Sequence, residues 1–241
     1  MNITAEQLYD ACDSTWPAAM TTRHGPWTIR EGRGGGKRVS AATVNGDVDL
    51  DQIKEAELVM KKLGQTPLFM IREGDDHIDL QLKDRGYSIV DPVNMYSISV
   101  DQLTDIPIPR VTTFCVWEPL AIMAEIWKLG GIGPERLEVM ERAKVKTSIL
   151  ARWNEKPAGA AFAAISKRVC MVHGVEILAH QRKQGVGKWI MRQAGFWAQQ
   201  NGAREVAVLC VKKNVGANAL YQSLGFTNRA SYHYRQMGGT D

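Results

Sequence analysis

The 241-residue sequence predicts an α/β protein, and three observations carry that expectation. Segments with apolar residues at helical spacing alternate with short β-branched runs along the whole chain. The run Val169–Leu178 is apolar enough to be a central strand buried on both faces. Directly after it, Gln181-Arg182-Lys183-Gln184-Gly185-Val186-Gly187-Lys188 places two glycines where that strand stops and an amphipathic helix begins.

Taken in order, Thr4–Cys12 has helical spacing, with Thr4 as cap, and Trp16-Pro17 ends it. Trp27–Arg30 and Arg38–Ala42 read as strands joined by Glu31–Lys37. The glycines in that connection do not form a phosphate loop, because no helix N-terminus follows them. Leu50–Leu63 is a helix closed by Gly64, Leu68–Ile71 a strand, and Asp75–Arg85 a helix. Ile89-Val90 and Met95–Val100 are strands, and the proline-punctuated Asp105–Pro109 is the linker between two domains, 1–105 and 106–241.

The second unit opens with a strand at Val111–Val116 and helices at Glu118–Leu129 and Glu135–Ala143, broken by Gly130–Pro134. Strands follow at Thr147–Trp153, Ala158–Ile165 and Val169–Leu178. After the glycine pair come helix Lys188–Gln200, strand Glu205–Val211, helix Gly216–Leu224 and final strands within Phe226–Met237.

Composition narrows the class. A content of 44% hydrophobic and 23% charged residues is that of a soluble globular chain with a sizeable core. A net charge of +4 with scattered Lys and Arg argues against a nucleic-acid partner. The four cysteines are widely spaced and three lie in apolar runs, as reduced core residues do. The N-terminus lacks a basic-then-apolar leader, and no apolar stretch approaches the roughly 18 residues of a membrane span. The expectation is a cytoplasmic protein with no membrane partner. Five isolated histidines give no metal cluster, and no nucleophile elbow is present.

The glycine pair has the makings of an anion site. The new helix offers unpaired N–H groups and its positive dipole end, and Arg182, Lys183 and Lys188 add charge suited to a diphosphate. Neither the Walker pattern nor Gly-x-Gly-x-x-Gly fits the spacing. The chain also repeats weakly. With Gly86-Tyr87 laid on Gly225-Phe226, Leu68–Ile71 falls on Ala207–Cys210. The first-half counterpart of Arg182–Gly187 is Thr43–Val48, which has no basic glycine pair, and Asp47, Asp49 and Asp51 around it would repel a diphosphate. Chemistry is therefore expected in the second half.

The Arg182-x-x-Gly185-x-Gly187 spacing resembles the acetyl-CoA pyrophosphate loop of the GNAT N-acetyltransferase superfamily. Val211–Phe226, with Asn214, Ala217, Leu220-Tyr221 and Gly225-Phe226, resembles that family's second signature. The likeness spans Val111–Met237. The first half is similar to the degenerate partner of tandem GNAT proteins, through Trp27–Ser40.

The resemblance implies a mixed, mostly antiparallel central sheet with helices on both faces, in two tandem copies. It implies acetyl-CoA as co-substrate, with Arg182, Gln184, Gly185, Val186, Gly187 and Lys188 around the diphosphate. Backbone groups of Val175 and Ile177 would pair with the pantetheine on a splayed strand, and Asn214 and Asn218 would contact the pantetheine and adenosine. Lys212 or Lys213 would reach the ribose phosphate.

The implied reaction is direct attack of an amine on the thioester. Tyr221 is the acid for the leaving thiolate. The base is Glu176, His173 or ordered water; three apart on a regular strand, the two side chains would point to opposite faces. The acceptor is expected to be a small-molecule amine, because the degenerate half could cover the open side of the cleft; the pocket would be built by Ile126–Arg136, Arg229–Tyr234 and the facing half, with Trp127, Tyr232 and Tyr234 as candidate lining. A protein amine, and a non-catalytic acyl-CoA-binding sensor, are the alternatives.

Overall fold

The structure, a computed structural model, describes residues 3–238. Helix α1 (Ala5–Thr15) begins with a Thr4/Gln7 capping box and buries Leu8, Tyr9 and Cys12. Strands β1 (Met20–His24), β2 (Trp27–Glu31) and β3 (Thr43–Val44) form a small sheet. Then come α2 (Leu50–Lys62), with an Asp49/Gln52 capping box, β4 (Leu68–Arg72), α3 (Asp76–Asp84) and β5 (Tyr87–Ser99). The second half contributes β6 (Thr113–Val116), α4 (Ala121–Leu129), α5 (Pro134–Arg142), β7 (Val145–Trp153), β8 (Lys156–Ser166) and β9 (Val169–Ile177). It closes with α6 (Val186–Gln200), β10 (Glu205–Val211), α7 (Val215–Ser223) and β11 (Thr227–Met237).

The predicted strand Arg38–Ala42 is instead a 3-10 turn, Lys37–Val39, entered from Gly36 at φ +97°. Its backbone bonds are local, from Val39 to Gly36 and from Ser40 and Ala41 to Lys37, and only Ala42 bridges to Phe69. Strand β1 went unpredicted because every residue in it is exposed, so no apolar alternation marks it. The two short strands expected after Gly86 are one long β5, with Asp91 at φ +43° marking the irregularity between them.

Eight strands form one sheet in the order β4-β11-β5-β10-β9-β8-β7-β6. Every neighbouring pair is antiparallel except β10 with β9. Strands of the two sequence halves alternate at one end: β11 lies between β4 and β5, and β5 lies between β11 and β10. Exchanging the segments that repeat in sequence, β4 with β10 and β5 with β11, maps this run of four onto itself in reverse.

One face of the sheet carries α1, α4 and α5 over side chains such as Met70, Ala207 and Phe162. The other carries α2 and α3 over Phe69 and Ile71, and α6 and α7 over Val208 and Cys210. The segment that follows β5 is fastened to α6. Arg192 donates to the Leu103 carbonyl at 3.1 Å and to the Asp105 carboxylate, while Gly195 admits Leu103 so closely that a Cβ there would lie 2.6 Å from it.

Candidate active site

The parallel pair β9·β10 is short. Register runs from Val169/Glu205 to Val172/Val208 and stops, although β9 continues to Ile177 and β10 to Val211. The two strands therefore part, and the far end of β9 has a partner on one side only, β8.

Gly174, at φ +55°, forms a bulge here: Phe162 faces His173 and Ala160 faces Glu176, with one fewer residue on β8 than on β9. The Trp127 indole N–H donates to its carbonyl at 2.8 Å and anchors it. Beyond the bulge, the Leu178 N–H donates to the Ala158 carbonyl on β8. By strand alternation the Glu176 amide also points to β8, and those of Val175 and Ile177 point into the gap. These are the two backbone positions singled out for a pantetheine arm.

The bulge also changes where the candidate bases point. His173 and Glu176 are paired with Phe162 and Ala160, which lie on the same face, so both side chains are on the α1/α4/α5 side rather than on opposite sides. The extra residue cancels the alternation that a regular strand would impose.

His173 is buried and fully committed. Its Nδ1 accepts from Arg38 Nη1 at 2.9 Å, because a guanidinium only donates. Its Nε2–H therefore donates to Thr15 Oγ1 at 2.9 Å, and that hydroxyl donates to the Ala11 carbonyl at 2.7 Å. Burial and the Arg38 charge hold its pKa well below the ordinary histidine value. It is a neutral, immobilised imidazole with no lone pair left for a substrate proton.

Glu176 is half-buried against Gly130 at the end of α4, where a Cβ would lie 2.3 Å from its carboxyl carbon. Burial raises its pKa, opposed by the charges of Arg182 and Arg136, and no hydrogen bond contributes. This carboxylate is free to take a proton.

On the opposite face, Tyr221 is 5% exposed and packs between Tyr96 and Phe226, with ring centroids 6.0 and 5.7 Å away. Burial first, then the Cys210 thiol and the Glu176 carboxylate, raise its pKa, so the phenol is protonated at neutral pH. The Glu176 charge thus reaches Tyr221 from the other face of the sheet.

Helix α6 starts at the gap's α6/α7 side. Its cap is Gly185 in the left-handed conformation (φ +82°), and no side chain caps the first N–H groups, those of Val186, Gly187 and Lys188. The two glycines do different work. Gly185 supplies the turn, whereas Gly187 lets α7 approach: a Cβ on it would lie 2.7 Å from Leu220 and 3.2 Å from Ile177. Arg182 is tied to the strand end, donating to the Ile177 carbonyl at 3.1 Å, and Gln184 donates to the His180 carbonyl at 3.1 Å.

The asparagines are occupied within the protein. Asn214 caps α7 by accepting from the Ala217 N–H at 3.1 Å. Asn218 donates to the Val211 and Asn214 carbonyls and accepts from the Tyr96 hydroxyl at 2.9 Å and from Asn94, binding α7 to β5. Lys213 is paired with Asp91 at 3.1 Å while its side chain stays largely exposed.

On the α1/α4/α5 side, a cavity of about 300 Å³ opens beside the bulge, lined by His173, Gly174, Leu209 and Val211 of the parting strands. Tyr232 and Tyr234 line it as expected; Trp127 instead lies wholly buried beneath Gly174. Its other wall comes from the first half, including Trp16 and Gly35–Arg38. A wall from the facing half agrees with the sequence reading, but its residues are not legible there, because Gly35-Gly36-Lys37 reads as a connector and Arg38 as the start of a strand. The buried thiols take no part: Cys210 is pushed up to about 11 and Cys170 higher.

Residues 119–226 match the model of the Acetyltransferase (GNAT) family. That segment belongs to the GNAT acetyltransferase family. The match contains the parted end of β9, the α6 terminus and Tyr221. The chain is also similar to a curated relative described as the uncharacterized N-acetyltransferase YobR of Bacillus subtilis (strain 168), 26% identical over 233 residues, 92% of this chain and 94% of the relative.

Among solved structures, the GCN5-related N-acetyltransferase from Kribbella flavida superposes with a TM-score of 0.71 at 20% identity, over 99% of this chain and 97% of that one. A tandem GNAT protein from the clavulanic acid biosynthesis pathway superposes at 0.59 with 12% identity, over 98% and 89%. At such identities the likeness is one of fold, and it extends over both halves of the chain. No helix among the described residues is long and apolar enough to cross a membrane.

Proposed function

We propose that this protein, through its GNAT segment, transfers the acetyl group of acetyl-CoA to a primary amine of a small molecule. The observation that carries the reading is the parting of β9 from β10 at Val172/Val208, with two unpaired amides in the gap and an uncapped helix terminus beside it. Such a gap accommodates an extended amide-rich arm as an added strand, and the helix terminus suits a diphosphate.

Acetyl-CoA would supply an activated acetyl thioester at the gap. The amides of Val186, Gly187 and Lys188, with the charges of Arg182, Lys183 and Lys188, hold the diphosphate. Val175 and Ile177 hold the pantetheine, and the Val175 N–H donates to the carbonyl oxygen as charge develops on it. Glu176, on the cavity side, takes the proton from the amine as the C–N bond forms. Tyr221, on the far side, donates a proton to the sulfur as the C–S bond breaks. Asn214 and Asn218 act by fixing α7, and with it Tyr221, against β5.

The first half serves as a degenerate copy that closes the acceptor cavity and brings no second cofactor loop. The free cysteines accord with a cytoplasmic location. The test is thiol release from acetyl-CoA in the presence of an amine panel, with the acetylated product identified by mass. Release that depends on an added small amine supports the reading. Saturable acetyl-CoA binding without any transfer would favour the sensor alternative.

A further inference from the structure

We propose that the acceptor carries a carboxylate, bound by Arg38 in the cavity beside the bulge, so that the substrate class is a small amino acid. This rests on the acetyltransferase reading and specifies the substrate of that same site.

Arg38 is a charge without a counter-charge. It contacts the neutral ring of His173 at 2.9 Å, lies beside the neutral Tyr232 and Tyr234 phenols and stands 5.4 Å from the Trp16 ring centroid, with no ion pair among the described residues, and its Nε is sealed from solvent without a partner. A guanidinium drawn out of water and left unpaired is costly, and an anionic ligand group removes that cost. Its planar donors match a carboxylate in particular.

The surroundings point the same way. Asp91, the acidic residue on the cavity wall, is already held between Lys37 at 2.7 Å and Lys213 at 3.1 Å. Arg136 adds a further cation at the wall. A polycationic amine would meet Lys37, Arg38 and Arg136 with no unpaired acid on the cavity wall, which leaves Glu176 alone to face the reacting amine.

Size and spacing complete the case. A cavity of about 300 Å³ is at the small end of ligand sites. His173, which orients Arg38, and Glu176, which receives the amine proton, face Phe162 and Ala160, two residues apart on β8 and hence roughly 7 Å apart along the strand. A molecule whose amine and carboxylate are separated by one to a few carbons spans from the guanidinium toward the gap.

The test compares an equimolar panel of L-α-amino acids, β-alanine and γ-aminobutyrate with the matching carboxamides, on the full chain. The wild type should prefer carboxylates by at least about tenfold in kcat/KM. Arg38→Gln, which removes the charge and keeps a polar side chain, should erase the preference through KM, and Arg38→Lys should keep part of it.

Carboxamides turned over as well as carboxylates by the wild type would overturn the proposal, as would a preference that survives in Arg38→Gln. The wild-type comparison decides even if the variants fold poorly. A second arm omits acetyl-CoA and reads the thermal midpoint. Amino acids should raise it in the wild type, carboxamides should not, and neither should act on Arg38→Gln. Absence of that carboxylate-specific shift overturns the anion site, whereas its presence in a protein that ignores acetyl-CoA would leave the site standing and fell the acetyltransferase reading.

Discussion

Removing a single oxygen, in Tyr221→Phe, separates chemistry from folding at this site. The ring lies 5% exposed between Tyr96 and Phe226, so phenylalanine fills the same space, and no hydrogen bond contributes to the hydroxyl's shifted pKa. Stability should change by less than about 1 kcal/mol. General acids contribute about 10²–10⁴-fold to rate, and they do so best when their pKa lies near the working pH. Burial raises the Tyr221 pKa away from that range, which makes it a weaker acid and places the expectation at the low end. The variant should lose about 10²-fold in kcat, or about 2.7 kcal/mol of transition-state stabilisation, with little change in KM for acetyl-CoA. The assay is thiol release at saturating acetyl-CoA. A kcat within about twofold of wild type would refute the assignment of the acid.

Three further outcomes follow from the same geometry. Burial raises the Glu176 pKa in the folded state, so its carboxylate costs stability above that raised pKa and costs nothing below the unfolded value; Glu176→Gln should therefore raise the thermal midpoint at neutral pH, give no increment in acid, and slow transfer. His173 has the opposite sign of linkage: its folded pKa is depressed, so the unfolded chain binds the extra proton and stability falls as pH drops below about 6.5, a slope that chemical denaturation should show reduced in His173→Gln. Gly195→Ala sets a methyl 2.6 Å from the Leu103 Cβ, which cannot rotate away, and should lower stability by about 1–3 kcal/mol in urea unfolding while leaving the α6 terminus intact.

The parts of this fold legible in the sequence are those governed by local chemistry. Capping at Thr4, the glycine stop at Gly64 and the continuous apolarity of β9 each identify an element without tertiary information, and the two signature segments locate α6 and α7 within two residues of their starts. What sequence could not supply was long-range pairing. The insertion of β11 between β4 and β5 depends on which edges are free when the halves meet, and nothing local to Thr227–Met237 encodes it. The same holds at the site. A bulge at Gly174 turns on one residue's positive φ, and it moves Glu176 to the face of His173. The isolated Arg38, the feature that most constrains the acceptor, follows a glycine run that reads as connector, and only the folded chain brings it to His173, 135 residues away.

The thermal midpoint of the protein with and without acetyl-CoA tests the central claim most directly. Gly187→Asp is unsuitable as a control, because its side chain would meet Leu220 before any diphosphate. Lys188→Glu serves better, since it reverses a charge in the first turn of α6 at a half-buried position whose ammonium stands over the Trp189 ring, with no backbone or core group in its way. At about a hundred times its dissociation constant the ligand stabilises by roughly 2.7 kcal/mol, a rise of roughly 5–10 °C for a chain of this size. The account predicts that rise in the wild type and a smaller one at the same concentration in Lys188→Glu. No rise in the wild type would contradict it.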